Sequence, residues 1–539
     1  MGGQDDPHAA AHEADQRARN DAYQQWAESA ANSVRGQQLA AAMQRQQTLQ
    51  NAYQTTQAIL SRGELQVHIN APSYFFTINQ GRKYGFAALG NAIGLIPSYA
   101  AFRALRRLPG VAEQPLYALT SHLSSALWMA LAAGSFYRLC RRRGASPRAA
   151  ALWTLVLGLG TPCLIYARSP YAEALQTFSL LYLYEKILEQ KDRITYSGMA
   201  LVGMSAGILF NTKLVYILIF PFGFIYLFYI HSFKARPSNT RRLLLGLGAA
   251  ALAFLPFLLL VLFHNWVKTG SPLRTGWYPG QRGVFSGDLW AGVFGLWLSP
   301  GKGLLWYAPP LFLGLVGLRR SLTRWPAETV LALAIAATVT GFSAKYQVWH
   351  GGFCWGPRYL VPIVPLVLLW AVTGVEAATE RAARARRALV GGLCAAGLCV
   401  QLLGCALYWD HHSRVLLLVR QQAEIPSAWS EDHLPFGYYV PQFSPLVGHA
   451  WLVRHVLNRD ADLGRDAPWK ALLTAPIDLR SVWPALRIDW WALDWLSGPR
   501  RPAGLVTLAL FTLGAALAAG SLVRRLRREP GDDDAAAAG

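Results

Sequence analysis

From residue 115 to residue 523 the sequence repeats one rhythm: an apolar stretch, a short polar break, another apolar stretch. The stretches cover 115–140, 149–166, 171–188, 196–210, 214–230, 243–263, 303–318, 327–342, 360–375, 389–408 and 505–523. A membrane-crossing helix requires about 20 mostly apolar residues, and one soluble core does not demand that length repeatedly. The pattern predicts an all-α polytopic membrane protein with about 11–12 membrane helices. The twelfth is the run 84–105, which contains Asn91, Pro97 and Arg103. Those polar interruptions favour an amphipathic helix lying along the surface over one that spans.

The breaks alternate in charge. Arg141, Arg142, Arg143 and Arg148 follow the first stretch, Lys186, Lys191 and Arg193 the third, and Lys234, Arg236, Arg241 and Arg242 the fifth. Arg319, Arg320 and Arg324, then Arg381, Arg384, Arg386 and Arg387, and finally Arg524, Arg525, Arg527 and Arg528 continue the series. One orientation puts every cluster on the cytoplasmic side of a bacterial inner membrane. The segments 167–170, 211–213, 264–302, 343–358 and 409–502 then face the periplasm or exterior, and chemistry is expected there.

The same pass divides the chain. Residues 1–60 form a polar extension rich in Ala and Gln that could be helical and has no signal-peptide core. Residues 61–110 read as a first outer loop and juxtamembrane element, 111–408 as the membrane core, and 409–502 as a small external C-terminal subdomain. A last membrane helix (503–528) and a disordered tail (529–539) complete it.

Composition supports lipid as the solvent. The 539 residues are 53% hydrophobic and 15% charged, where soluble proteins carry roughly a quarter charged residues. The net charge of +21 could point to nucleic acid, but its Lys and Arg lie in the breaks, so no nucleic acid partner is expected. Six cysteines without CxxC or Cys/His ligand spacing imply neither zinc nor a disulfide framework. A disulfide between Cys163 and Cys354, both expected near the outer face, is the minor exception. No Asp-rich cluster appears, so neither metal nor cofactor is expected.

Basic residues on the outer side contradict the charge rule and ask for a reason. Lys213, Lys268, Arg274, Arg282, Lys302, Lys345 and Arg358 are such residues. Phosphate is one reason, since Arg offers two parallel donors and Lys a point charge; solvated loops and lipid headgroups are the plainer one. The densest group is Lys345-Tyr346-Gln347-Val348-Trp349-His350-Gly351-Gly352-Phe353-Cys354-Trp355-Gly356-Pro357-Arg358-Tyr359. Its glycines permit tight turns, and its aromatics and donors suit a sugar phosphate, or simply an interfacial loop capping a helix. Glu173, with Tyr171 beside it, opens another stretch: it could serve as general base, orient a phosphate-bound cation, or pair with Arg168. Lys302, between Gly301 and Gly303, could cradle a phosphate. Trp429, Trp451, Trp469, Trp483, Trp490, Trp491 and Trp495 could stack on carbohydrate or cover the membrane surface.

Taken in order, several of these residues resemble the bacterial polytopic glycosyltransferases of the GT-C fold, similar to the protein mannosyltransferase and aminoarabinose transferase families. The resemblance rests on Tyr53 with Gly63-Glu64-Leu65, Gly81-Arg82-Lys83-Tyr84-Gly85 followed by Gly90 and Pro97-Ser98-Tyr99, and Gly160-Thr161 with Tyr166 and Glu173. It continues in Asn265 with Gly270-Ser271-Pro272, Ser299-Pro300-Gly301-Lys302-Gly303-Leu304-Leu305, and Trp349-His350-Gly351-Gly352 with Gly356-Pro357-Arg358-Tyr359-Leu360. It implies a polyprenyl-phosphate-sugar donor and an acid from each of two outer loops. Glu173 matches the second acid by position; the place of the first reads Thr48-Leu49-Gln50-Asn51, without a carboxylate. The first membrane helix such proteins carry ahead of that loop is also missing. An altered start, a subfamily using Glu64 or Glu173, or loss of activity would each account for both departures.

The expected reaction is inverting transfer of a sugar from the lipid-linked donor to an unknown glycan, lipid or protein acceptor. Glu173 or Glu64 would take the hydroxyl proton. Lys83, Lys213, Lys302 and Arg358 are expected to hold the donor phosphate, and Tyr171, Asn265, Trp349 and His350 to contact sugar or acceptor. A flippase for a lipid-linked glycan and a catalytically inactive relative remain the alternatives.

Overall fold

The computed structural model describes residues 76–79, 82–85, 88–103, 113–169, 171–234, 240–275, 285–352, 354–372, 380–407, 411–413, 415–416, 435–458, 513–514 and 520–521. It opens with a two-stranded antiparallel hairpin, β1 (Phe76–Asn79) and β2 (Arg82–Gly85), in which Ile78 pairs with Lys83. Helices follow: α1 (Leu89–Arg103), α2 (Glu113–Arg142), α3 (Pro147–Leu159), α4 (Cys163–Ala167), α5 (Glu173–Glu189) and α6 (Tyr196–Thr212). A 3-10 turn (Leu214–Ile219), α7 (Phe220–Phe228) and a π-helical turn (Tyr229–Lys234) run on without interruption. Next come α8 (Thr240–Thr269), α9 (Leu289–Trp297), α10 (Leu304–Tyr307), α11 (Leu311–Arg324) and α12 (Pro326–Lys345). A second 3-10 turn (Arg358–Ile363) leads into α13 (Val364–Ala371), and α14 (Glu380–Ala406), α15 (Pro435–Tyr439) and α16 (Pro445–Asn458) complete the described part.

This is the all-α polytopic architecture expected from the apolar runs, with one small hairpin added. Among the described residues four segments, Leu214–Lys234, Thr240–Thr269, Pro326–Lys345 and Arg384–Ala406, are long and apolar enough to cross a membrane. Burial is arranged for lipid: α8 exposes Leu244, Leu245, Leu252, Leu255, Leu259 and Phe263 while His264, Asn265 and Lys268 are buried. In water that arrangement would be costly; in hydrocarbon the apolar face is solvated and polar groups gather inside. α8 lies against α6 because Gly203 has no side chain, and a Cβ there would collide with the Ala250 carbonyl.

The breaks differ from the sequence reading where proline and glycine intervene. The run 149–166 is two helices parted at Gly160–Pro162, and 303–318 is parted at Ala308–Pro310, because proline lacks the donor and clashes with the preceding turn. The segment 264–302, expected to be a loop, keeps α8 going to Thr269 and contains α9, whose first turn is capped by Asp288 accepting from the Ala291 N–H at 2.6 Å. In α1, Leu89, Ala92, Leu95, Ser98 and Tyr99 are buried, and Trp128 of α2 donates to the Gly94 carbonyl at 2.8 Å. Residues 1–60 and 503–512 lie outside the described residues, as do Trp429, Trp469, Trp483, Trp490, Trp491 and Trp495. Trp451 is buried in α16 with its ring 4.8 Å from that of His455, so it packs the core of that segment and offers no face to a sugar.

Two polar knots mark the opposite ends of α5. Near its C-terminal end Glu185, fully buried, receives the Arg138 guanidinium in a two-pronged bond at 2.5 and 2.9 Å. Tyr184 donates to the Glu328 carbonyl at 2.9 Å, and Lys191 reaches the Glu328 carboxylate at 2.6 Å. The other knot surrounds Glu173.

Candidate functional site

Glu173 is the first residue of α5 and only 3% exposed. A carboxylate buried this deeply requires a cation, and Arg358 supplies it: the Glu173 Oε1 lies 3.6 Å from the Arg358 Nε. The second oxygen, Oε2, has no hydrogen-bond partner. Arg358 opens the 3-10 turn that leads into α13, and its guanidinium lies 4.8 Å from the Tyr171 ring and 4.9 Å from the Tyr359 ring. Its Nη2 also donates to the Tyr359 hydroxyl at 3.2 Å.

A second cation shares Tyr359. Lys213 is the single extended residue between α6 and the following 3-10 turn, and this kink carries its Nζ to 4.2 Å from the Tyr359 ring centre. The Lys213 ammonium is pushed down to about 8, chiefly by loss of water, with the Glu173 charge opposing the shift and the Arg358 charge adding to it. Three residues on, one turn into the 3-10 segment, Tyr216 donates to the Gln176 side-chain oxygen at 3.1 Å, tying the segment that follows Lys213 to the first turn of α5.

Lys213 and Tyr359 form one wall of a cavity of about 310 Å³. Leu214, Val215, Val261 and Phe342 make much of it apolar, while His264, Asn265 and Lys268 of α8 line another side. Asn211 Oδ1 and Ser343 Oγ, both buried and without a hydrogen-bond partner, belong to residues that line it too. Buried polar atoms are seldom left unmatched, and these two are open to a polar group inside the cavity. Glu173 and Arg358 do not line this space; they stand behind Tyr359.

The structure thus brings together Glu173, Tyr171, Lys213 and Arg358, with Asn265 on the cavity wall, where its Nδ2 donates to the Pro272 carbonyl at 3.1 Å. The Arg168 alternative for Glu173 fails: Arg168 donates instead to the Cys405 carbonyl at 3.1 Å. Three other expected residues do different work. Lys302 Nζ is engaged by the Gly352 carbonyl at 3.0 Å, the Cys354 carbonyl at 2.8 Å and the Cys354 Sγ at 3.3 Å, so its donors are used within the protein and it is no phosphate cradle. His350 is 1% exposed, stacks on Tyr438 and accepts at Nδ1 from Gly352 N–H at 3.1 Å and Tyr438 hydroxyl at 2.9 Å. Trp349 fills the place opened by Gly295 of α9 and meets Tyr438 at 5.7 Å. His350 is thus held through one ring face and its Nδ1, Trp349 is half-buried, and neither lines the cavity. Glu64 lies outside the described residues, as does the side chain of Lys83, whose backbone is in β2. Cys163 and Cys354 are free and buried.

Sequence reasoning gave Tyr359, the ring both cations share, no role of its own, and gave no joint role to His264 and Lys268, the second of which it named only among the outer cations. The signal for the latter is their i, i+4 spacing, which puts them on one face once α8 is allowed to run on to Thr269. Tyr438 carries no local signal, being 88 residues from His350. Among the described residues no group of three His, Cys, Asp or Glu side chains is arranged to hold a metal.

No family model matches the chain, and no curated protein matches its sequence. Among solved structures it is similar to ArnT from Cupriavidus metallidurans in the apo state, with 17% sequence identity, a TM-score of 0.45, and coverage of 75% of this chain and 72% of that one. The same protein bound to undecaprenyl phosphate matches with 17% identity, a TM-score of 0.43, and coverage of 79% and 69%.

Proposed function

We propose that this chain is a membrane glycosyltransferase of the GT-C kind that moves a sugar from a polyprenyl-phosphate-sugar donor to an acceptor hydroxyl on the external, periplasmic face. The observation that carries the reading is the convergence of Lys213 and Arg358 on Tyr359, with Glu173 behind them, at the edge of a largely apolar cavity. A lipid phosphate needs that combination: cations for the headgroup and apolar walls open to an isoprenoid chain.

In this reading the acceptor oxygen attacks the anomeric carbon from the side opposite the phosphate, and the bond between that carbon and the phosphate oxygen breaks. The configuration at carbon inverts. The electron pair leaves on the phosphate, where Lys213, with Arg358 behind it, stabilises the added charge. The hydroxyl proton goes to a carboxylate, Glu64 or Glu173; Glu173 does not line the cavity, so its unengaged Oε2 takes the proton only where the acceptor displaces Tyr359 to reach it. Glu173 has a second task, holding Arg358 in place. The alternation of basic clusters along the chain supports the external placement.

The test is direct. The purified protein in liposomes is given a panel of polyprenyl-phosphate sugars with radiolabelled sugar, together with a periplasmic lipid and glycan extract, and release of free polyprenyl phosphate is followed. Donor consumption that falls steeply, to a low residual rate, in Arg358→Ala and Lys213→Ala supports transfer. Movement of intact donor across the bilayer without its consumption overturns it in favour of translocation.

A further inference from the structure

Lys302 is 2% exposed and has no carboxylate among its contacts. Burial lowers its ammonium below the ordinary lysine value, and the neighbouring Arg358 charge works in the same direction. A buried cation held only by carbonyls and a thiol is an expensive way to fill space that a Met of similar volume would fill without charge. What the ammonium grips is therefore informative. Both carbonyls belong to the loop between α12 and Arg358, 50 and 52 residues further along the chain.

That loop has little regular structure to hold it. Gly351, Gly352 and Gly356 adopt φ of 76°, 73° and 62°, a region other residues rarely enter. Its position matters because it forms the bed of the Arg358 side chain: a Cβ on Gly351 would stand 2.9 Å from the Arg358 Cγ and 3.2 Å from its Cδ and Nε. Lys302 thus pins the carbonyl of Gly352, the next peptide is Gly351, and Gly351 sets where the guanidinium stem can lie. The anchor of Lys302 is itself rigid. Its own N–H donates to Ser299 Oγ at 3.2 Å, and Gly301, next to it, accepts from the Tyr307 hydroxyl at 2.9 Å and donates to the Tyr438 carbonyl at 3.0 Å.

The geometry points to Lys302 as a positioning residue that acts through the Gly351–Gly352 backbone to hold the Arg358 guanidinium against Glu173 and Tyr359. It touches neither cavity nor substrate. Its influence on the reaction rests on the transferase reading; its influence on the loop does not.

Two variants test it from opposite ends. Lys302→Met removes the grip, and Gly352→Ala, whose Cβ would meet nothing within 4 Å, strains only the left-handed backbone that presents the carbonyl. In both, backbone hydrogen exchange across 349–358 is expected to quicken while that of α5 and α12 stays as in the parent; unchanged exchange across the loop in both variants overturns the proposal whatever the chain catalyses. For the reaction, Lys302→Met is expected to lower kcat on the order of 10²-fold with donor KM shifted less than about threefold, since misplacement by about 1 Å has that effect. In an Arg358→Ala background the same substitution should cost less than about threefold further, because the two residues act as one unit. Losses that multiply in the double variant would make Lys302 a general structural support and sink the positioning role. A parent protein that transfers no sugar defeats the transferase reading and leaves the exchange result to decide this one.

Discussion

The Lys213 ammonium stands 4.2 Å from the centre of the Tyr359 ring, which also has the Arg358 guanidinium 4.9 Å away. Two cations so placed repel each other, and the ring they share and the Glu173 carboxylate beside Arg358 make the arrangement tolerable before any ligand arrives. An arriving phosphate would relieve the repulsion that remains. In the proposed reading the site receives an anion, and the ring tunes its affinity.

Tyr359 should therefore matter more as a ring than as a hydroxyl. Tyr359→Phe keeps the face and loses only the bond from Arg358 Nη2. Tyr359→Leu loses the face for both cations, each worth about 0.5–2 kcal/mol at a partly buried site. Polyprenyl phosphate binding, followed by quenching of intrinsic tryptophan fluorescence, is expected to weaken clearly in Tyr359→Leu and only slightly in Tyr359→Phe. Equal weakening in the two would show that the hydroxyl carries the effect.

Glu173→Gln tests the base. An amide cannot take a proton at neutral pH, so transfer should fall by roughly 10²- to 10⁴-fold. Binding of polyprenyl phosphate should persist, since Lys213 and Arg358 are still there. Transfer at the parent rate would remove Glu173 as the base and leave Glu64 to carry that role.

How much of this was legible beforehand follows from the kind of force involved. Apolar length marks a membrane helix in any sequence, and the runs at 196–210, 243–263 and 327–342 all lie inside helices. Proline and glycine breaks were visible as residues, yet whether a Pro kinks or ends a helix depends on what packs around it, and so 149–166 and 303–318 read as continuous. Glu173 stood out because an acid at the mouth of a membrane helix is costly unless solvated or paired, and Lys213 and Arg358 because a basic residue on the outer side of a membrane needs a reason. Lys302 stood out by the same rule and was assigned the wrong partner: nothing local says that its donors meet carbonyls about fifty residues away. The packing of Trp349 and His350 against Tyr438 was hidden for the same reason.

The close approach of α6 and α8 makes a stability prediction independent of function. Gly203 leaves no room for a side chain before the Ala250 carbonyl. Gly203→Leu must push the two helices apart, and overpacking of this kind costs about 1–3 kcal/mol. Thermal unfolding in detergent should show a lowered midpoint, whereas Gly248→Leu on α8, where a Cβ meets nothing within 4 Å, should leave it nearly unchanged. A midpoint equal for the two variants would mean that lipid-facing and helix-facing positions of α8 are wrongly assigned.

The lowered Lys213 ammonium gives the reaction a pH dependence whose sign can be worked out. Lys213 is charged below about 8 and neutral above it. Free protein captures the donor phosphate through the charged form, so kcat/KM for the donor should be level near neutrality and fall about tenfold for each further pH unit once the ammonium is lost. An ordinary lysine would postpone that fall to about 10.4, and an arginine would remove it from the accessible range. Lys213→Arg should therefore flatten the alkaline limb, and Lys213→Met should show a low rate with no limb at all. The bound phosphate favours the ammonium, so the limb in kcat should lie at higher pH than the limb in kcat/KM. A limb that persists unchanged in Lys213→Arg would assign the titration to another group and take Lys213 out of donor capture.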